Sequence, residues 1–420
     1  MTLIKTSLLN AVAVVIKMLT MLGLNKILAI YVGPAGYAAI GNFQNAVQMM
    51  STFASGAINT GVVKYTAEYH DEEEKQRQVW RTAGTIALLG SVVTGIGVSI
   101  FSKQIALWFL HDESYSPVFI WFSITLVFYI FNTLLLAILN GKKEIHRYII
   151  ANIAGSIFSL AVTSVLAIKF GLLGALTALA IHPSFAFIIT LYLCYKAEWF
   201  KFSYLFGGLD KKVLFNLSKY TAMALTTAAC VPVSHILIRT HLSNTFGLEA
   251  AGYWEAMWRL SGAYLMLVTT TLSLYYLPRL SELKEPTEIK KEILQGYKII
   301  LPVAAACGLV IYLLRDFIIG VLFTQDFIPM RELFAWQMVG DTLKIGSWIL
   351  GYYFISKGRF KIFMFIEVYF SLQFYVLCVF LSEPLGLVGT SVAHAMNYFS
   401  CFIFVVIFYF RDVNNEELYN

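Results

Sequence analysis

The feature that most constrains this chain is a rhythm of long apolar runs. Each is about 20 residues, the length a helix needs to cross a hydrocarbon core of about 30 Å, and short breaks separate them. Runs fall at 7–31, 38–62, 82–102, 117–139, 148–168 and 172–194, and again at 215–238, 250–277, 297–314, 332–356, 362–381 and 386–409. The breaks carry turn residues, as at Gly33-Pro34, Asn140-Gly141, Gly207-Gly208 and Glu383-Pro384-Leu385-Gly386. Only helices and closed barrels satisfy their backbone in lipid, and runs this long are helical. The expected fold class is an all-α membrane protein of about twelve transmembrane helices.

Composition agrees. Hydrophobic residues make up 58% of the chain and charged residues 13%, where soluble domains carry about a quarter charged. The net charge of +6 does not indicate nucleic acid, because the basic residues sit in short groups between apolar runs and form no continuous face. Cys194, Cys230, Cys307, Cys378 and Cys401 all lie inside apolar runs without a CxxC spacing, so they read as core residues. No cofactor and no metal ligand set is expected. The first run is interrupted by Lys17 and has no small-residue cleavage site before Tyr31, and it reads as a helix rather than a signal peptide.

Basic residues concentrate in cytoplasmic loops. Counting alternate loops puts 22 Lys and Arg in one set and five in the other. The basic set includes both termini and the 196–219 segment, which are therefore expected in the cytoplasm. The five are Lys103, Lys169, Arg239, Arg315 and Arg331.

The halves echo one another. Gly171-Leu172-Leu173-Gly174 recurs as Gly386-Leu387-Val388-Gly389, an offset of 215; Gly36-Tyr37 matches Gly252-Tyr253, and Trp80-Arg81 matches Tyr297-Lys298, at nearly the same offset. Six spans per repeat orient both halves alike. The expected organisation is an N-terminal lobe at 1–200 with helices 1–6, a cytoplasmic linker at 201–214, and a C-terminal lobe at 215–420 with helices 7–12.

Four basic residues, Lys17, Lys26, Arg259 and Lys344, and three acids, Glu255, Asp341 and Glu367, lie inside the runs. Each costs about 2.5–3.5 kcal/mol at the bilayer centre, so such groups face a cavity or a partner. Their spacing describes polar seams. Asn10 and Lys17 share a face of the first helix, and Asn45, Gln48, Thr52, Ser55 and Asn59 stripe the second. Glu255 and Arg259 are i,i+4; Gln337, Asp341, Lys344 and Trp348 follow steps of four, three and four. Such seams indicate a water-filled cavity between lobes. Its charge balance suits an anionic group, with Lys17, Arg259 and Lys344 as candidate ligands for a diphosphate. Asn10, Asn45, Gln48, Thr52, Asn59, Glu255 and Gln337 are candidate lining, and Asp341 and Glu367 candidate ion-coupling acids. A second reading stays open, in which Glu255 with Arg259 and Asp341 with Lys344 are ion pairs that lock helices. Lys26, on the opposite face from Lys17, reads as snorkelling to the interface. His182, His235 and His394 read as packing residues.

The stretches Gly33-Pro34-Ala35-Gly36, Val63-Lys64-Tyr65-Thr66-Ala67-Glu68-Tyr69-His70-Asp71, Tyr276-Leu277-Pro278-Arg279-Leu280-Ser281, and above all the segment from Met330 to Lys344 (Met-Arg-Glu-Leu-Phe-Ala-Trp-Gln-Met-Val-Gly-Asp-Thr-Leu-Lys) resemble the Wzx-type polysaccharide flippases of Gram-negative bacteria. The resemblance covers essentially the whole chain. It implies a MATE-like fold of two six-helix lobes in the multidrug/oligosaccharidyl-lipid/polysaccharide exporter superfamily. It also implies a substrate, an undecaprenyl-diphosphate-linked oligosaccharide such as a lipid III or O-antigen unit, moved by alternating access from the cytoplasmic to the periplasmic leaflet of the inner membrane. Implied partners are that glycan, membrane lipids, and the glycan polymerase and chain-length regulator of the same pathway. The competing function is a cation or drug antiporter of the same superfold. A membrane glycosyltransferase is disfavoured, because no nucleophile elbow, metal motif or phosphate loop occurs.

Overall fold

A computed structural model of the chain describes residues 3–283 and 285–419, with side chains described outside 3–11, 219–220, 222–223, 273–274, 277–278, 282 and 414–419. Among these residues every regular element is helical. The first eight helices are α1 (Leu3–Tyr31), α2 (Gly33–Ala54), α3 (Asn59–Glu68), α4 (Glu73–Ile100), α5 (Ser102–Leu110), α6 (Ser116–Gly141), α7 (Ile145–Tyr195) and α8 (Lys211–Phe246). Then follow α9 (Leu248–Thr271), α10 (Leu277–Glu282), α11 (Pro286–Leu313), α12 (Arg315–Leu322), α13 (Phe334–Ser356), α14 (Phe360–Leu385) and α15 (Val388–Tyr419).

Among the described residues seven helices are long and apolar enough to cross a membrane, by length and composition. One of them, α7, is 51 residues, far longer than one crossing requires. Gly171 breaks it with φ 56 and ψ −134, so α7 supplies two spans. The long helices outside that apolar set are α2, α8, α9 and α13, and of these α2, α9 and α13 carry polar seams. Together these make twelve spans. Large apolar side chains stand exposed along the apolar helices, among them Val93, Ile96, Ile100, Ile188 and Phe380. Surface of this kind is stable against lipid and not against water.

The second span differs from its expected extent. Positive φ at Gly56 and Ala57 ends α2, and Ser55 stabilises the turn by accepting the Ala57 N–H on its Oγ at 3.2 Å. The chain restarts as α3, so Asn59 sits on a different helix from Asn45, Gln48 and Thr52.

The chain divides into two compact units, residues 1–32 with 39–232 and residues 33–38 with 233–420. In the first unit α6 is the buried core helix: Phe119, Phe122, Leu126, Leu135 and Ile138 are fully covered, and Phe119 meets Phe43 of α2 edge-on at 5.4 Å. In the second unit Ile345, Ile349, Tyr353 and Phe354 of α13 form a core with Leu265, Leu272, Ile289 and Val405.

The repeat detected in the sequence is visible in the backbone of each unit. Gly171 (φ 56, ψ −134) and Gly386 (φ 63, ψ −150) hold the same conformation. Three residues on, a Cβ on Gly174 would overlap the Leu166 carbonyl oxygen, and one on Gly389 the Leu381 carbonyl oxygen. The turn before α7 has hydrogen bonds Lys142 N–H to Ile138 O, Lys143 N–H to Asn140 O and Glu144 N–H to Leu139 O; the turn before α14 repeats them from Lys357, Gly358 and Arg359 to Tyr353, Ile355 and Phe354.

A Cβ on Gly386 would touch nothing within 4 Å, so Gly386→Ala probes backbone strain alone. The substitution is expected to cost about 1–3 kcal/mol. Gly97→Ala, inside α4 with open space around it, should be neutral or stabilise by about 0.5–1 kcal/mol. Thermal unfolding of the detergent-purified variants checks the opposite signs.

Candidate functional site

Among the described residues buried charges gather in the second unit, on α8, α9, α13 and α15. On α9, Glu255 and Arg259 are one turn apart, and Arg259 Nε donates to Glu255 Oε1 at 3.2 Å. Arg239 of α8 approaches the other oxygen, its Nη1 2.5 Å from Oε2. One carboxylate thus bridges two guanidiniums, all three groups at least nine-tenths buried. The Arg259 guanidinium also lies over the Tyr37 ring at 5.6 Å and that of Arg239 over Trp254 at 5.7 Å.

Arg239 is the functional-site candidate that sequence reasoning missed. The spacing predicts the seventh span to end at 238, which leaves Arg239 in a loop. Instead α8 runs on to Phe246 and stops at Gly247, whose φ of 92 ends the helix. That glycine was the available signal. With Arg239 inside, positive charge in the apolar runs exceeds negative by more than the sequence count implied.

Two turns along α9 is a second cluster. Asp341 of α13 accepts a hydrogen bond from Ser261 Oγ at 2.7 Å, from Gln337 Nε2 at 3.4 Å, and from the Tyr264 hydroxyl. His394 Nε2 of α15 faces Asp341 Oδ1, the oxygen that Gln337 also contacts, at 2.9 Å. The i,i+3 spacing suggested Lys344 as the partner of Asp341, but among the described residues Lys344 forms no salt bridge. Its ammonium sits in an aromatic box, 4.7 Å from the Trp258 ring centre, 5.1 Å from Trp348 and 5.2 Å from Tyr398. Ring faces offset part of the cost of burying an ammonium away from water.

The remaining candidates are placed as follows. Gln337 is buried within the Asp341 cluster, while Glu367 is half-buried on α14. In the first unit Lys17 is exposed on α1 and Gln48 on α2. Asn45 is half-buried, its amide nitrogen without a hydrogen-bond partner among the described residues, and Thr52 donates its hydroxyl to the Gln48 carbonyl at 2.8 Å. Asn59 opens α3, and the side chain of Asn10 lies outside the described residues. The second unit therefore gathers Glu255, Arg259, Gln337, Asp341 and Lys344 into one region.

Twelve spans with fixed charge buried in the second unit define a polytopic membrane protein. The fold matches an inward-facing multidrug resistance MATE family transporter of the MOP superfamily with a TM-score of 0.75 at 14% identity, covering 95% of each chain. It matches the lipid II flippase MurJ in an inward closed conformation with a TM-score of 0.72 at 12% identity, over 96% of this chain and 87% of that one. At these identities the likeness is one of fold. In sequence, residues 3–284 match the family model described as polysaccharide biosynthesis protein. The chain is 32% identical to the lipid III flippase of Escherichia coli (strain K12) over 401 residues, 95% of this chain and 96% of the relative, and equally to that of Shigella flexneri. The chain belongs to the polysaccharide biosynthesis protein family.

Proposed function

We propose that the chain is a flippase that carries an undecaprenyl-diphosphate-linked oligosaccharide from the cytoplasmic to the periplasmic leaflet of the bacterial inner membrane by alternating access. The observation that carries this reading is the relationship to a lipid III flippase along nearly the whole length of both chains. The chemistry of the second unit supports it, since buried guanidiniums of Arg239 and Arg259 suit an anionic head group. A planar guanidinium offers a phosphate two parallel donors, and an ammonium offers a point charge. Arg259 is the proposed primary ligand of the diphosphate, with Lys344 and Lys17 adding positive potential. Asn10, Asn45, Gln48, Thr52, Asn59, Glu255 and Gln337 are proposed lining, and Asp341 and Glu367 the acids through which an ion gradient acts. The lobe boundary at 201–214 is proposed as a cytoplasmic linker. Deleting the gene should cause one lipid-linked glycan to accumulate facing the cytoplasm, and that glycan identifies the cargo. Absence of any accumulating lipid-linked glycan overturns the reading.

Both termini and the 196–219 segment are proposed to be cytoplasmic, from the distribution of Lys and Arg. Reporter fusions at Lys212 and Asn420 should be active only with a cytoplasmic reporter, and periplasmic activity at either reverses the orientation. Association with the glycan polymerase and chain-length regulator of the same pathway is proposed from the shared substrate. Co-purification from native membranes checks it, and failure to recover either removes the proposal.

A further inference from the structure

His394 has no exposed surface. Its Nε2 faces Asp341 Oδ1 at 2.9 Å, and Asp341 takes its other bonds from Ser261, Gln337 and Tyr264, all neutral donors. A carboxylate ringed by donors takes the Nε2 proton as one more, which leaves Nδ1 with a bare lone pair. Among the described residues Nδ1 is buried with no hydrogen-bond partner. Buried polar atoms are nearly always paired, and an orphan calls for a reason such as a bound ion or a reactive role. The ring cannot turn to find one. Trp258, Phe374 and Tyr398 wall it at centroid distances of 5.0, 5.9 and 4.9 Å, and Gly340 packs so close that a Cβ there would overlap the imidazole.

A proton on Nδ1 turns the bare lone pair into an N–H donor packed among aromatic rings, whose π-systems accept it weakly. The imidazolium would be held between the Asp341 carboxylate and aromatic faces, and Lys344 already shows that Trp258 and Tyr398 accept a cation. We propose that His394 is a proton-binding site, exchanging one proton at Nδ1, and that its charge state is read out by α9. The other charged or titratable groups around it are Asp341 and Lys344 on α13, Glu367 on α14, Tyr398 on α15, Tyr264 on α9, and His235 with Arg239 on α8. Lys344 shares two of its rings, so a second cation in the box repels the first. Asp341 holds Ser261 and Tyr264, and Arg259 lies two residues before Ser261 on the same helix. A change of charge at His394 and Asp341 therefore acts on the helix that presents Arg259. This last step rests on Arg259 being the diphosphate ligand; the proton site itself does not.

The test uses the full-length protein in detergent with undecaprenyl diphosphate as probe. An imidazolium quenches a neighbouring indole, so tryptophan emission should rise through one titration step as pH increases. The step should vanish in His394→Gln and in Trp258→Phe. Probe affinity should change at least threefold across that step and become flat with pH in His394→Gln. In Asp341→Asn the midpoint should move to lower pH, because the carboxylate no longer favours the imidazolium; this arm decides the matter if His394→Gln fails to fold. A step that persists in His394→Gln, or a midpoint unmoved in Asp341→Asn, overturns the proton site. Arg259→Ala separates the two readings: it should keep the fluorescence step and lose probe binding at every pH. Undiminished binding in that variant overturns Arg259 as ligand and leaves His394 standing.

Discussion

Arg259→Ala is expected to abolish glycan export while most of the protein remains in the membrane. Glu255 stays paired when Arg259 is removed, because Arg239 holds its other oxygen at 2.5 Å, closer than the 3.2 Å contact to Arg259. No uncompensated carboxylate is left behind, so folding should survive. What is lost is a buried donor to the diphosphate, a change of about 2–5 kcal/mol for a desolvated charge pair, enough to lower flipping at least tenfold and typically more than a hundredfold. Arg259→Lys keeps the charge without the parallel donors and should retain partial export. Surface glycan measured beside membrane abundance checks this series. If Arg259→Ala disappears from the membrane, Arg259 is a structural strut.

Glu255→Ala should have the opposite signature. Removing the carboxylate that bridges Arg239 and Arg259 takes from two buried guanidiniums the acid they share, and breaking a buried pair costs about 3–5 kcal/mol. Most of that cost falls on folding, so the variant should vanish from the membrane or unfold at much lower temperature in detergent. Arg239→Ala should resemble it, since it removes the closest ion pair of the cluster from a fully buried position. Quantitative membrane blots with thermal unfolding separate the two arginines: Arg239 is expected to matter for abundance, Arg259 for export. Equal abundance of the Glu255→Ala and Arg259→Ala variants would remove the distinction.

Much of this architecture is written in local sequence. Apolar run length fixes the spans, and the Gly-Leu-x-Gly repeat marks two breaks whose backbone angles nearly coincide at Gly171 and Gly386. The Glu255 and Arg259 contact follows from helical spacing alone. The Asp341 cluster was half legible: period placed Gln337, Asp341 and Lys344 on one face, but period cannot say what a face meets. The His394 contact spans 53 residues, and nothing local distinguishes that histidine from one that merely packs. The same limit hid the aromatic box around Lys344, which is assembled from α9, α13 and α15. Arg239 was missed because a polar stretch after an apolar run reads as a loop, although a helix with buried partners continues through it. The polar stripe of α2 is shorter than its spacing implies, since Gly56 and Ala57 turn the chain before Asn59.

The central claim is tested most directly by following one substrate across one membrane. The purified chain is reconstituted into liposomes carrying a polyprenyl-diphosphate-linked saccharide with a fluorescent sugar, and the label in the outer leaflet is quenched by a membrane-impermeant reductant. With the chain present, nearly all of the label should become accessible over time. Liposomes that are empty or hold Arg259→Ala should stop at about half, the share of the outer leaflet. If the unaltered chain also stops at half, for every lipid-linked glycan of its host and under imposed gradients of pH and potential, this protein is not a flippase.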